Sequence, residues 1–194
     1  MSDKPGARAA ALAARRAMPQ GDRDRADRAL IEAARDLVRD AGSVAAYIPM
    51  PGEPGGPDLV DALAAVVGSL LLPVLRLDLD LDWARYDATA GLSPPERPGV
   101  RLREPVGPRL GVDAIALCYA VLVPALAVDR HGMRLGRGGG SFDRALARVA
   151  PETPVVALLY EGELSEAPLP AEPHDRPVTA VLTPSGVRPV PWSS

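Results

Sequence analysis

A single cysteine in 194 residues leaves nothing for an internal disulfide to join, so the fold must rest on packing alone. That residue, Cys118, sits in the apolar stretch 114–123 with no histidine near it in sequence, which favours a buried thiol over a nucleophile. Aromatic residues make up only 4% of the chain, so the core must be built from Val, Leu, Ile and Ala, a composition suited to helices on a sheet. The two histidines, His131 and His174, have no cysteine or histidine at metal-ligand spacing, which argues against a zinc site. Positive charge is short: the formal net charge of −3 excludes the strongly basic surface of a general nucleic-acid binder, and any anionic ligand must be captured locally. No apolar run approaches the roughly 18 to 20 residues that span a bilayer. The start of the chain lacks the charged, apolar and small-residue succession of a secretory leader. A soluble, cytoplasmic protein that contacts neither membrane nor nucleic acid is therefore expected. Lysine is nearly missing too. Lys4 is the only one among many arginines, a bias that a GC-rich coding sequence produces without functional cause.

What is present is periodic. The length suits one substantial core, and a single domain spanning residues 1–194 is expected. Residues 24–41 carry Ala26, Ala29, Leu30, Ala33, Leu37 and Ala41 at spacings of three and four, with Gly42 as a stop, which predicts an amphipathic helix. A short apolar run at 43–48 ends at Pro49 in a turn-rich segment. Residues 59–67 then predict a second helix and 70–74 a second strand. The runs 115–123 and 154–160 are almost continuously apolar and are separated by a glycine-rich loop and the helical pattern FDRALARV. Residues 178–183 predict an edge strand, residues 77–108 a polar strand with a long loop, and the proline-rich tail from Pro184 a surface strap. Strands apolar on both faces and alternating with helices imply a three-layer α/β/α fold around a mostly parallel sheet.

The chemistry concentrates in Arg134-Leu-Gly-Arg-Gly-Gly-Gly-Ser-Phe-Asp143-Arg144, after a buried strand and before a helix. Glycines let backbone N–H groups approach a phosphate, a helix starting near Ser141 offers unpaired N–H groups, and Arg134, Arg137 and Arg144 add charge. The segment has neither the Gly-Lys-Ser/Thr of a P-loop nor dinucleotide GxGxxG spacing, and a flexible loop uses the same glycines. Asp143 is ordinary dipole compensation in a first helical turn, but beside a triphosphate it becomes a magnesium-ligand candidate, with Asp175 as a possible second. Lys4 and Arg8 lie four apart on one helical face, a mildly unfavourable pairing unless an anion lies nearby. Pro5, as first helical residue, would leave Lys4 at the positive end of that helix. Glu53 follows a predicted strand end, where parallel sheets commonly face a ligand crevice, and a solvated loop glutamate remains the plain alternative. Trp83 and Tyr86 serve either packing or stacking.

In order along the chain, Lys4-x3-Arg8, Tyr47-Ile-Pro-Met-Pro-Gly-Glu53, Val121-Leu-Val-Pro-Ala-Leu-Ala-Val-Asp129, residues 134–144, and His174-Asp175 before Val178-Thr-Ala-Val-Leu-Thr183 resemble the 5-formyltetrahydrofolate cyclo-ligase, or methenyltetrahydrofolate synthetase, family. The resemblance implies a fold similar to the ribose-5-phosphate isomerase and CoA-transferase group, and ATP-dependent closure of 5-formyltetrahydrofolate to the 5,10-methenyl form. It implies ATP contacts at Lys4, Arg8, Arg134, Gly136, Arg137, Gly138, Gly139, Gly140, Ser141, Phe142 and Asp143, with Lys4 and Arg137 acting on the transferred phosphoryl group. Folate contacts fall on Ile48, Met50, Glu53 and Phe142, and Mg2+ ligands on Asp143 and Asp175. The family often has two tyrosines before the loop aspartate, where this chain has Ser141 and Phe142, so one phenolic hydroxyl is missing. The alternative is a non-catalytic folate- or nucleotide-binding relative of the same fold. A sugar-phosphate isomerase or transferase would not need the two carboxylates. A monomer or small homo-oligomer is expected.

Overall fold

The apolar runs become strands wherever alternate side chains find a covered face on each side. In the computed structural model, which describes residues 4–94, 102–172 and 175–191, the chain opens with helices α1 (Lys4–Ala17) and α2 (Gln20–Val38). It continues through β1 (Ser43–Ala45), α3 (Leu59–Ala64), β2 (Ser69–Leu75) and β3 (Leu81–Arg85). A small ribbon pairs β4 (Leu92–Ser93) with β5 (Glu104–Pro105), and a 3₁₀ helix (Val112–Leu117) precedes β6 (Ala120–Pro124), β7 (Ala127–Asp129) and β8 (Arg134–Leu135). Then come α4 (Ser141–Leu146), β9 (Val155–Leu158), β10 (Leu164–Ser165), β11 (Ala180–Thr183) and β12 (Gly186–Pro189).

Seven of these strands form one sheet in the order β12-β11-β9-β6-β1-β2-β3. The five inner strands run parallel and both outer strands pair antiparallel. The two-residue period of the strands sorts the side chains. Val44, Leu70, Leu72, Leu122, Val156 and Leu158 pack with Leu30, Ala34 and Val38 of α2 and Leu59 and Leu63 of α3. Ala45, Leu71, Val121, Val123, Val155 and Ala157 pack with Ala145 and Leu146 of α4, Ile115 and Trp83. Each fully buried Val or Leu contributes about 1.5 to 3 kcal/mol, so neither face tolerates a shift of register by one residue. The result is the expected three-layer α/β/α arrangement.

Several expectations need correction. The helix predicted over 24–41 begins at Gln20 and ends at Val38, and the one over 59–67 stops at Ala64. The run 115–123 is not one strand: Leu117 and Tyr119 point outward, 84% and 62% exposed, and regular alternation between two buried faces begins only at Ala120. The strand near 178–183 is interior rather than an edge, because the chain turns after Thr183 and returns as β12. The tail taken for a strap thus supplies the edge, a position that tolerates Val187-Arg-Pro189 because an edge strand need not donate every N–H. At the other edge, β3 realises the polar strand in the stretch 77–108, of which residues 95–101 lie outside the described residues. Trp83 is fully buried there, a packing residue, and Tyr86 donates its hydroxyl to Asp61. Cys118 is buried against Ser43 and Ala114, and burial pushes its thiol above the ordinary range, in keeping with an inert packing role.

The direction of winding fixes where a ligand can enter. From β1 the chain proceeds to β2 and β3 on one side, while β6, β9 and β11 build the other. The segments leaving the carboxyl ends of β1 and β6 diverge, and a crevice opens between them at this switch point.

Candidate active site

That crevice is a cavity of about 540 Å³. Its walls are the segment after β1 (Tyr47, Ile48, Met50, Glu53), the segment after β6 (Ala125, Leu126), the glycine loop from Arg134 to Asp143, the start of α1 (Lys4, Arg8), and Glu172 with Asp175. Every residue given as a ligand contact by the family resemblance lines it, including Gly136, Arg137, Gly138, Gly139, Gly140, Ser141 and Phe142, whereas Arg144, counted with the charge of the loop, does not and donates to the Gly139 and Leu79 carbonyls. His174 lies outside the described residues. Sequence reasoning missed Pro73, Leu75, Leu81, Leu102 and Glu172, which carry no motif, and gave no role to Tyr47 and Leu135, which lie inside the quoted motifs. The parallel-sheet rule could have marked strand ends in general, but which ends open onto the crevice depends on strand order.

The glycine loop is shaped by a residue more than 120 positions away. Arg8 donates through Nε to the Gly136 carbonyl at 2.9 Å. Gly138 has φ +103, and a Cβ there would lie 3.3 Å from the Arg8 guanidinium, so only glycine lets the loop close on Arg8. Gly140 begins α4 in the left-handed conformation. This helix has six residues, under two turns, so the positive pole expected at its start is small and side-chain cations carry most of the local charge.

Three of those cations, Lys4, Arg134 and Arg137, are paired with carboxylates. Lys4 Nζ lies 3.0 Å from Glu172 and 3.1 Å from Asp175. Burial works against its charge, but the hydrogen bonds and charges of those two acids outweigh it and hold the Lys4 pKa above its ordinary value. Arg134, buried, bonds to Asp143. Burial draws its pKa down, and the charges of both Asp143 and Asp175 offset part of that, so both candidate metal ligands act on one guanidinium. Arg137 donates through Nε to Glu53 Oε1 at 2.7 Å, and Glu53 Oε2 accepts the Met50 N–H at 2.9 Å. Four cations (Lys4, Arg8, Arg134, Arg137) therefore face four acids (Glu53, Asp143, Glu172, Asp175), and the cavity neutralises itself. Each Glu53 oxygen retains a further acceptor site, because a carboxylate oxygen accepts about two hydrogen bonds.

The donor set fits magnesium under one condition. Among the described residues no group of three or more His, Cys, Asp or Glu side chains is arranged to hold a metal unaided. Magnesium, however, is commonly bound by one or two carboxylates with phosphate oxygens and water completing the octahedron. Asp143 and Asp175, which line the same cavity, would supply such a pair of carboxylates only beside a bound polyphosphate. Phe142 meanwhile packs against both hydrophobic cores and presents the aromatic face of the loop, with the small Ser141 beside it in the wall.

The chain matches the 5-formyltetrahydrofolate cyclo-ligase family over residues 1–184. A 5-formyltetrahydrofolate cyclo-ligase of Mycolicibacterium smegmatis is 40% identical over 188 residues, covering 91% of each chain. The solution structure of Aquifex aeolicus 5,10-methenyltetrahydrofolate synthetase superposes with a TM-score of 0.80 at 27% identity, over 98% of this chain and 94% of that one. The Mycoplasma pneumoniae 5,10-methenyltetrahydrofolate synthetase shares the fold, with a TM-score of 0.72 at 16% identity over 94% and 99% of the two chains. With these matches spanning nearly its whole length, the chain belongs to the 5-formyltetrahydrofolate cyclo-ligase family.

Proposed function

We propose that the cavity closes 5-formyltetrahydrofolate to 5,10-methenyltetrahydrofolate, with ATP converted to ADP and phosphate, and that the cations and carboxylates just described perform the reaction. The observation that carries this reading is the 2.7 Å contact between Arg137 and Glu53, which joins a phosphate-type loop to a buried carboxylate in one enclosed space. A site for a phosphate ester alone would have no use for that carboxylate.

The formyl oxygen is a poor leaving group because the N5 formyl group is amide-like. Transfer of the γ-phosphoryl to that oxygen makes it a phosphate ester, N10 attacks the formyl carbon and loses its proton, and the C–O bond breaks to release phosphate. Catalysis of such a sequence is mostly positioning and charge neutralisation. Lys4, Arg8, Arg134 and Arg137 supply fixed positive charge to the triphosphate. Before ATP arrives, Lys4 is held at the cavity wall by Asp175 and Glu172, and Arg137 by Glu53. Asp143 and Asp175 would hold Mg2+, whose chemistry there is neutralisation of the terminal phosphates. The Glu53 carboxylate accepts from adjacent N–H donors of the pterin, while Ile48, Met50 and Phe142 offer apolar surface to its ring. No protein nucleophile is required. No helix among the described residues is long and apolar enough to cross a membrane. A cytoplasmic setting and a monomeric or small homo-oligomeric state belong to the same proposal.

Methenyltetrahydrofolate formation, followed by absorbance, is expected only with ATP and a divalent cation both present. Undiminished turnover after thorough chelation would remove magnesium from the site. Binding of both ligands without turnover under any condition would mark a non-catalytic relative. Lys4→Ala offers a separate check. Loss of one hydrogen bond to a charged group is worth about 1.5 to 3 kcal/mol, so KM for ATP should rise at least tenfold or so while the folate KM stays nearly constant. Wild-type ATP affinity and turnover in that variant would reduce Lys4 to a tether for Glu172 and Asp175.

A further inference from the structure

Behind the cavity wall lies a cluster of polar side chains that no step above employs. Tyr160, two residues beyond β9, is fully buried, and neither it nor Asp27 of α2 lines the cavity. The Tyr160 hydroxyl lies 2.8 Å from Asp27 Oδ1 and 3.1 Å from the Glu53 carbonyl oxygen. Asp27 Oδ1 also accepts the Gly55 N–H at 2.9 Å, and Tyr47 donates its hydroxyl to the Pro54 carbonyl. The peptide between Pro54 and Gly55 is thus gripped at both its oxygen and its nitrogen. The oxygen of the peptide between Glu53 and Pro54 shares the single Tyr160 O–H with Asp27 Oδ1, and the Pro54 ring fixes the φ angle between the two peptides. Gly56 belongs to the same fit, since a Cβ there would lie 2.8 Å from Asp27 Oδ2.

The grip is itself anchored. The Arg15 guanidinium sits 5.6 Å from the centre of the Tyr160 ring and bonds to both oxygens of Glu163, at 2.6 and 2.8 Å, and Glu163 also accepts the Tyr160 N–H at 2.9 Å. Burial, together with the Asp27 contact, pushes the Tyr160 phenol well above its ordinary pKa, so it remains a donor. A backbone turn with no other function would not need a tyrosine, an aspartate and a second tyrosine from three separate elements. The residue it carries is the buried carboxylate at the cavity wall.

We propose that Tyr160 and Asp27 are positioning residues for Glu53: by fixing the peptide groups of residues 53–55 they set the direction from which the Glu53 carboxylate meets the pterin, without touching the substrate. This rests on the assignment of Glu53 to the pterin made above. A carboxylate that accepts from two adjacent donors works only when both bonds are aligned, so a turn freed at one hydrogen bond weakens recognition without abolishing it.

The test compares Tyr160→Phe, Asp27→Asn and Asp27→Ala, alone and combined with Glu53→Gln, by steady-state kinetics and thermal melting. Tyr160→Phe keeps the ring under Arg15 and removes only the hydroxyl. Its folate KM should rise about three- to tenfold, with kcat and the ATP KM little changed. Asp27→Asn preserves an acceptor for Gly55 and should restore most of what Asp27→Ala loses. If Asp27→Ala fails to fold, Tyr160→Phe still carries the comparison. In the Glu53→Gln background, Tyr160→Phe should add almost nothing to the folate KM, because the group it positions is already gone. Multiplied effects in the double variant would overturn the proposal. So would a lowered melting temperature with an unchanged folate KM, which marks a structural role only. If Glu53→Gln itself left the folate KM unchanged, the pterin assignment would fail and the positioning role with it. An effective Glu53→Gln beside a silent Tyr160→Phe would overturn the positioning role alone.

Discussion

Arg137→Ala is expected to lower turnover by about two to three orders of magnitude, the usual effect of removing a group aimed at charge that develops in a transition state. Only one of the five guanidinium N–H donors is used by Glu53, leaving the others for a transferring phosphoryl group. From the sequence this arginine reads as a surface cation whose loss should barely touch stability. The structure changes that expectation. Glu53 is 5% exposed, and without Arg137 its carboxylate keeps only the Met50 amide, so the unliganded variant should also lose about 1 to 3 kcal/mol of stability. Arg137→Lys separates the two effects, since it keeps a charge but cannot reproduce the Nε bond geometry. Single-turnover kinetics and denaturant melts of all three proteins decide the matter. Turnover of the alanine variant within a few-fold of wild type would exclude Arg137 from phosphoryl transfer.

Glu53→Gln should weaken folate binding by roughly one to two orders of magnitude, because a hydrogen bond to a buried charged group is worth about 1.5 to 3 kcal/mol. The amide has the same shape but a single acceptor oxygen, while two donors, Met50 N–H and Arg137 Nε, now use the two carboxylate oxygens. One donor must lose its partner or face the new NH₂ group. The substitution therefore reaches the phosphate half of the cavity as well. ATP affinity should shift only slightly, yet kcat should fall, as Arg137 is no longer held in place. Titration calorimetry with each ligand separately, beside steady-state rates, reads both halves. Folate affinity equal to wild type would return Glu53 to the role of a structural turn residue.

Three-layer architecture, helices and most strands of the central sheet were legible because burial imposes a period on the side chains that carry it, two in strands and about 3.6 in helices. The glycine loop was legible for the same local reason: closely spaced glycines beside arginines restrict the chemistry to a few kinds of ligand. Where the period is absent, reading failed. The polar strand expected in 77–108 carried no sign that it would be the edge strand β3, and the proline-rich tail hid β12, because an edge strand needs neither a continuous apolar face nor every backbone donor.

The residue types and their local spacing were thus determined by the sequence itself: a glycine- and arginine-rich loop, Lys4 and Arg8 on one helical face, and the carboxylates Asp143 and Asp175. Which groups meet was decided only by the tertiary structure. Glu53 and Arg137 are 84 positions apart and Asp27 and Tyr160 are 133 apart, and no local pattern relates the members of either pair. Their contact follows from strand order. Placing β6 beside β1 opens the crevice between their carboxyl ends and brings the glycine loop to its rim, while packing α2 on the sheet brings Asp27 beneath the Glu53 turn. Periodicity records how much of a segment is buried, but a buried charge is tolerated only where another segment supplies its partner, and that is a property of the whole fold.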